Sequence, residues 1–445
     1  MKKSSWILLL VPLALIGTGW LAAYIGEPEY AYTPPEHKLD NATAIRAQQF
    51  SSLRQYDIWG KTLTVPGGMQ PLNARLQPAN GAVEVTDDML KLGRRTLYEE
   101  TFGNEIFLSD VLGIASGPLK ISNIMEAIVR LEGKGTDNLR VELDHDVTVG
   151  GRLFHKGEII DTGLDVAKGA YAPIGMTVKY AEGRAKIGIG CMACHATVNR
   201  ESGMVVEGAP NTDLNLGLIM ALATNSAAYF THTDVTKLVD YIQDENRSVT
   251  NSQGSAEALP DPKLLEDAVD RNLLKWAPGN FDTTVDLVSD ITQIPDMFTK
   301  GGHPYSWSGF AAVGPFKGLS TFSNNVHAQN TDTLSQMDIS DKLWGIDREI
   351  YLGTILQNAA NPKFRYDPNS GIKPTDFFKL LDPNPDTPGT NEVIKVPNYP
   401  KVSAIAPDGL YISSPALRPG NKLMPCLPIR IRSDPRKPLQ RTPSV

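Results

Sequence analysis

The stretch GIGCMACHATVN, residues 188–199, sets two of the chain's three cysteines beside one of its seven histidines. Cys191 and Cys194, at i and i+3, share one side of a single helical turn. His195 follows at once. Two thiols so placed can each add to one vinyl group on the same edge of a porphyrin, and the adjacent imidazole can give a nitrogen to the iron. For that reason C-x-x-C-H reads as the attachment site of one haem c. The pattern carries weight because cysteine is so scarce in 445 residues. Two rivals fare worse. Structural zinc needs four ligands, and the sequence offers no second C-x-x-C or H-x-x-x-H, only the distant Cys426. A thioredoxin-like dithiol belongs at a strand-to-helix junction in a repeated strand-helix-strand pattern, which is missing. Gly188 and Gly190 are expected to let the backbone approach a flat macrocycle closely.

The body around this motif is bounded by composition. Apolar residues make up 41% and charged residues 21%, the balance of a folded soluble body and too polar for a multi-span membrane protein. A formal net charge of -7 argues against nucleic acid as a partner, which would select a basic face. Three cysteines exclude a disulfide framework, so packing must hold the fold. At the N-terminus, Lys2 and Lys3 precede an uncharged, mostly apolar run from Trp6 to Ile25. That pattern predicts an anchoring helix, or a cleaved signal, in segment 1–26, with the body exported to the periplasmic side of a bacterial inner membrane and tethered there through this segment.

Along the rest, residues 27–84 read as a stalk and irregular leader rich in proline and charge. Residues 85–380 read as the haem domain. Within it, VTDDMLKLGRRTLYEETFG from Val85 predicts a helix capped at Thr86. Residues 146–163 alternate between glycines and predict short strands. NTDLNLGLIMALATNSAAYF, 211–230, predicts a buried helix with an Asn/Thr/Asp start, and PKLLEDAVDRNLLKW another. Residues 381–445, proline-rich and then basic, predict little regular structure. The expected class is therefore mainly α, a helical haem domain enlarged by long loops and a few short strands.

Opposite His195, the sequence offers His327, set in FSNNVHAQNTD, as the leading candidate for a sixth ligand, with His303, Met176 and Met337 behind it. A methionine would raise the potential, a second histidine would lower it, and an open position would admit oxygen or peroxide. Trp307 and Phe310 in SWSGF could line a haem face.

GRRTLYEETFGNEIF (93–107), DTGLDVAKGAYAPIG (161–175), GCMACHATV (190–198) and WAPGNFDTT (276–284), in that order, resemble the N-terminal haem domain of exported dihaem cytochromes related to rubber oxygenase. They are more distantly similar to dihaem cytochrome c peroxidases. The likeness implies a mainly helical, cytochrome-c-like fold, thioether roles for Cys191 and Cys194 and a proximal role for His195. Such proteins continue into a second domain with its own C-x-x-C-H, whereas here NKLMPCLPIRIRSDPRKPLQRTPSV contains Cys426 and no histidine. A shortened second domain and a native flexible tail both fit that ending. Two functions are expected: an electron carrier with one haem and a redox partner protein, or a haem-dependent oxygenase or peroxidase. The carrier is preferred, because a peroxidase without the second haem lacks an internal electron donor.

Overall fold

The computed structural model describes residues 29–40, 55–57, 82–84, 94–295, 337 and 340–381, with short gaps at 96, 102, 233–236, 244–246 and 283–286. Among these, 35% of residues are helical and 20% are in strands, spread over several small antiparallel sheets. The expected mainly α, cytochrome-c-like class is thereby corrected to a mixed fold. The reason is visible at the motif, which is delivered and received by strands. Met176–Ala181 and Arg184–Ile189 form an antiparallel hairpin, with Met176 opposite Ile189, and Glu29–Ala31 adds a third strand beside Met176–Ala181. The two-residue loop places Glu182 at φ 53° and Gly183 at φ 77°, the pair of positive values that matches the twist of a tight hairpin. After the motif, Ala196–Val198 pairs with Val205–Glu207.

Most of the remaining strands are three residues long, Val147–Val149, Arg152–Phe154 and Ile159–Asp161 among them. These lie where alternation between glycines predicts strands. Helix Pro262–Leu273 also follows its sequence: Asp261 accepts bonds from Lys263 N and Leu264 N, proline occupies the first turn, and Leu265, Ala268, Val269 and Leu273 are buried. These are an N-cap and an apolar stripe at helical spacing. Helix Arg348–Leu356 is buried from Glu349 onward, as a helix with apolar residues on all sides must be. Its buried Glu349 accepts Thr375 N at 2.9 Å and Thr375 Oγ1 at 2.7 Å.

One connected core runs from Tyr32 and Leu39 to Phe378. Residues 29–40, read from composition as stalk, thus contribute a strand and two core side chains. The expected anchor receives a correction as well. Among the described residues no helix is long and apolar enough to cross a membrane, and the run from Trp6 to Ile25 lies outside them. Anchoring by one N-terminal helix on the periplasmic side therefore has no structural support.

Candidate functional site

The motif folds as a single turn. Cys191 is the N-cap of the four-residue helix Met192–His195, and the chain becomes extended at Ala196. So short a helix satisfies almost none of its own carbonyls. Here the rest of the chain does so: Asn211 Nδ2 donates to Ala193 O at 3.2 Å, Asn211 N to Cys194 O at 2.8 Å, and Gly208 N to His195 O at 2.9 Å. Asn211 is buried, and its side-chain oxygen also accepts Asp213 N and Leu214 N. It is therefore a clamp on the motif and not the helix start expected from the Asn/Thr/Asp pattern. The helix itself begins at Leu216, capped by Asn215, and ends at Ala221.

Behind the turn, Gly190 N donates to Gly175 O at 2.7 Å. Gly175 has φ 68°, and a Cβ there would come within 2.0 Å of Ala193 N, so only glycine lets the two backbones meet. Gly188 and Gly190 are explained differently from what the sequence suggested. A Cβ on Gly188 would meet Thr177 and Glu105, and one on Gly190 would meet the Glu100 carbonyl. They make room for protein.

His195 Nδ1 lies 3.0 Å from the carbonyl oxygen of Pro295. A carbonyl only accepts, so Nδ1 must carry the proton, and in the neutral ring the lone pair falls on Nε2. Pro295 follows strand Ile291–Gln293, which pairs with Asn280–Asp282. That pair is seated on the clamp, since Gly279 N donates to Leu214 O at 2.8 Å. WAPGNFDTT thus begins the segment that brings Pro295 to the imidazole.

On the other side of the turn, Ala193 and Cys194 help to wall a narrow apolar slot of about 80 Å³. Leu108 and Leu112, with Ile187 and Ile189 on the strand packed against them, line one part of it, and Leu216, Ile219, Met220, Tyr229 and Phe281 line another. Tyr229 and Trp276 pack on Phe281 with ring centroids 6.5 and 6.4 Å apart. Burial pushes the Cys194 thiol up to about 12. That is opposite to the depressed value of a redox-active C-x-x-C. Burial, then Asp282 and Cys194, hold the Tyr229 phenol well above its ordinary range, so it remains protonated at neutral pH. Among the described residues no group of three or more His, Cys, Asp or Glu is placed to hold a metal ion.

The residues present suit haem c in their chemistry: paired thiols on one turn, an imidazole with its tautomer fixed, and apolar walls. The slot is smaller than the several hundred Å³ of a cofactor pocket, so its walls stand closer than a whole macrocycle requires. Of the predicted site residues, Cys191, Cys194 and His195 lie together and Met176 lines the slot. Met337 packs half-buried on the core and is not part of the slot wall. His303, His327, Trp307, Phe310 and Cys426 lie outside the described residues. Sequence reasoning passed over Asn211, Met220, Tyr229 and Pro295. Only Asn211 carried a local signal, and that signal was read as a helix cap.

Comparison with protein-family models, with curated proteins and with solved structures finds no match.

Proposed function

We propose that this chain holds one haem c through Cys191 and Cys194, with the His195 imidazole as the group that would hold its iron, and serves as an electron carrier for a redox partner protein. The observation that carries this reading is the bond from His195 Nδ1 to Pro295 O at 3.0 Å. Iron-ligating histidines are held in this way, with the second ring nitrogen donating to a carbonyl or carboxylate, which fixes the tautomer and raises the basicity of the ligating nitrogen. When bound, the haem would supply a one-electron ferric/ferrous couple. The protein's part is to orient the imidazole through Pro295, to brace the turn through Asn211 and to keep water from the apolar slot. Met176 and Met220 also line that slot, and a thioether that held the iron there would favour the ferrous state. Because the closed slot is narrow, loading requires its walls to part.

The test is covalency first. After production in a host equipped for haem c maturation, the denatured chain should stain for haem on a gel, and the double variant C191A/C194A should not. Staining that persists in the double variant refutes the attachment. The ferrous protein should then be inert to carbon monoxide and become reactive when Met176 and Met220 are both changed to Ala. Ready binding to the unchanged protein would replace the carrier with an oxygen- or peroxide-activating enzyme.

A further inference from the structure

A second concavity lies at the C-terminal end of helix Arg348–Leu356. It encloses about 440 Å³ and is lined in part by Arg247, Gln357, Arg365, Tyr366, Asp367 and Asn369. That is the size of an ordinary small-molecule pocket. Its character is opposite to that of the slot beside Cys194. Two guanidinium groups line it, and among the described residues neither forms an ion pair with a carboxylate. Arg247 Nη1 donates to Gln357 Oε1 at 3.3 Å. Arg365 Nε donates to Ala359 O at 3.0 Å and Nη2 to Ala360 O at 3.4 Å. Gln357 is only 7% exposed and is itself fixed, donating Nε2 to Pro260 O at 3.0 Å.

Among the described residues, both cations are thus oriented by neutral acceptors and neither is paired with a carboxylate. Asp367 brings a carboxylate to the lining, but its Oδ1 accepts Asn369 N at 2.9 Å. The lining therefore carries two positive charges against one negative, in a chain whose net charge is -7. A planar guanidinium held in place offers a donor fork that matches a carboxylate or phosphate, and prior ordering lowers the entropy lost on binding.

We propose that this cleft binds a small molecule carrying a carboxylate or phosphate group, recognised by Arg247 and Arg365. The proposal does not depend on the haem reading.

Titration calorimetry on the full chain, at fixed ionic strength, tests it with inorganic phosphate in one arm and succinate in the other, and sodium chloride as the control. Saturable binding of at least one anion is expected, and the stronger arm distinguishes phosphate from carboxylate. R247Q and R365Q should each weaken it by about tenfold, the loss expected when one charged hydrogen-bonding partner is removed. R365K, which keeps the charge and loses the fork, should weaken it less and guards against loss of fold in the glutamine variants. No saturable binding of either anion, or binding equal in the parent and in R247Q/R365Q, overturns the proposal.

Discussion

The two sides of the apolar slot are held by contrasting electrostatics. On one side the turn Phe107–Leu112, which supplies Leu108 and Leu112, is tied to the hairpin strand that supplies Ile187 and Ile189. Fully buried Asp110 pairs with Arg184 and with Lys186, the latter at 2.9 Å, and Lys186 and Lys363 both reach Glu182 in the hairpin turn. On the other side, the 3-10 segment Ser226–His232 carries Tyr229. Its first amides, Ser226 N and Ala227 N, donate to Glu266 at 2.6 and 2.8 Å, and Ser226 Oγ donates to Asp270 at 2.6 Å. Among the described residues no cation pairs with Glu266 or Asp270. One wall is fixed by compensated charge, the other by carboxyl groups without a counter-ion, so the two must answer differently to mutation and to pH.

The largest effect is expected at Asp110. Asp110→Asn leaves Lys186, only 3% exposed, and Arg184 short of a buried partner, and should cost about 3 kcal/mol in denaturant unfolding. A loss below about 1 kcal/mol would show that the two walls do not differ in this respect.

Second in size is the pH response. Burial lifts Glu266 to about 7 and Asp270 to about 8. Groups that hold a proton more tightly when folded contribute fully below about pH 4, and that contribution is lost as pH rises through about 7 to 8. Glu182 behaves in the opposite sense, because hydrogen bonds from Lys363 and Lys186 lower it to about 2. Its contribution stands above about pH 4.5 and is lost as pH falls through about 2. E266Q/D270N should therefore flatten the decline in stability between about pH 5 and about pH 8, and K363M should alter only the acid limb. Unfolding midpoints recorded across that range decide it. If the double variant keeps the parent's slope, the second wall does not depend on these carboxyls.

Asn211→Ala comes third. It leaves the Ala193 and Gly163 carbonyls without their side-chain donor and should cost about 2 kcal/mol. The loss should fall on the motif and not on either wall. Faster hydrogen exchange at Met192–His195, with the hairpin unchanged, is the expected signature; uniform loosening of all three would count against the clamp. Asp261→Ala should cost least, about 1 kcal/mol, by removing the cap of helix Pro262–Leu273 while sparing Glu266 and Asp270. Any change in their pH profile would tie the cap to the second wall.

How much of this was legible follows from distance along the chain. Asp261 and Pro262 announce their helix because a cap and its turn are neighbours. Cys191, Cys194 and His195 announce themselves because they fall within five consecutive positions of a chain with only three cysteines. The fold class was misread chiefly because the six-residue hairpin strands Met176–Ala181 and Arg184–Ile189 bury consecutive residues, so they show no alternation to register. Pro295, in turn, stands 100 positions from His195, and nothing in a local pattern marks a main-chain carbonyl as the partner of an imidazole.

That separation also sets a time. At about 5–20 residues per second, the ribosome needs about 5–20 s to add the 100 residues between His195 and its acceptor. Throughout that interval His195 lacks its acceptor, and until residue 281 is added the slot lacks Phe281 as well. The arrival of Pro295 then supplies the acceptor that fixes the imidazole.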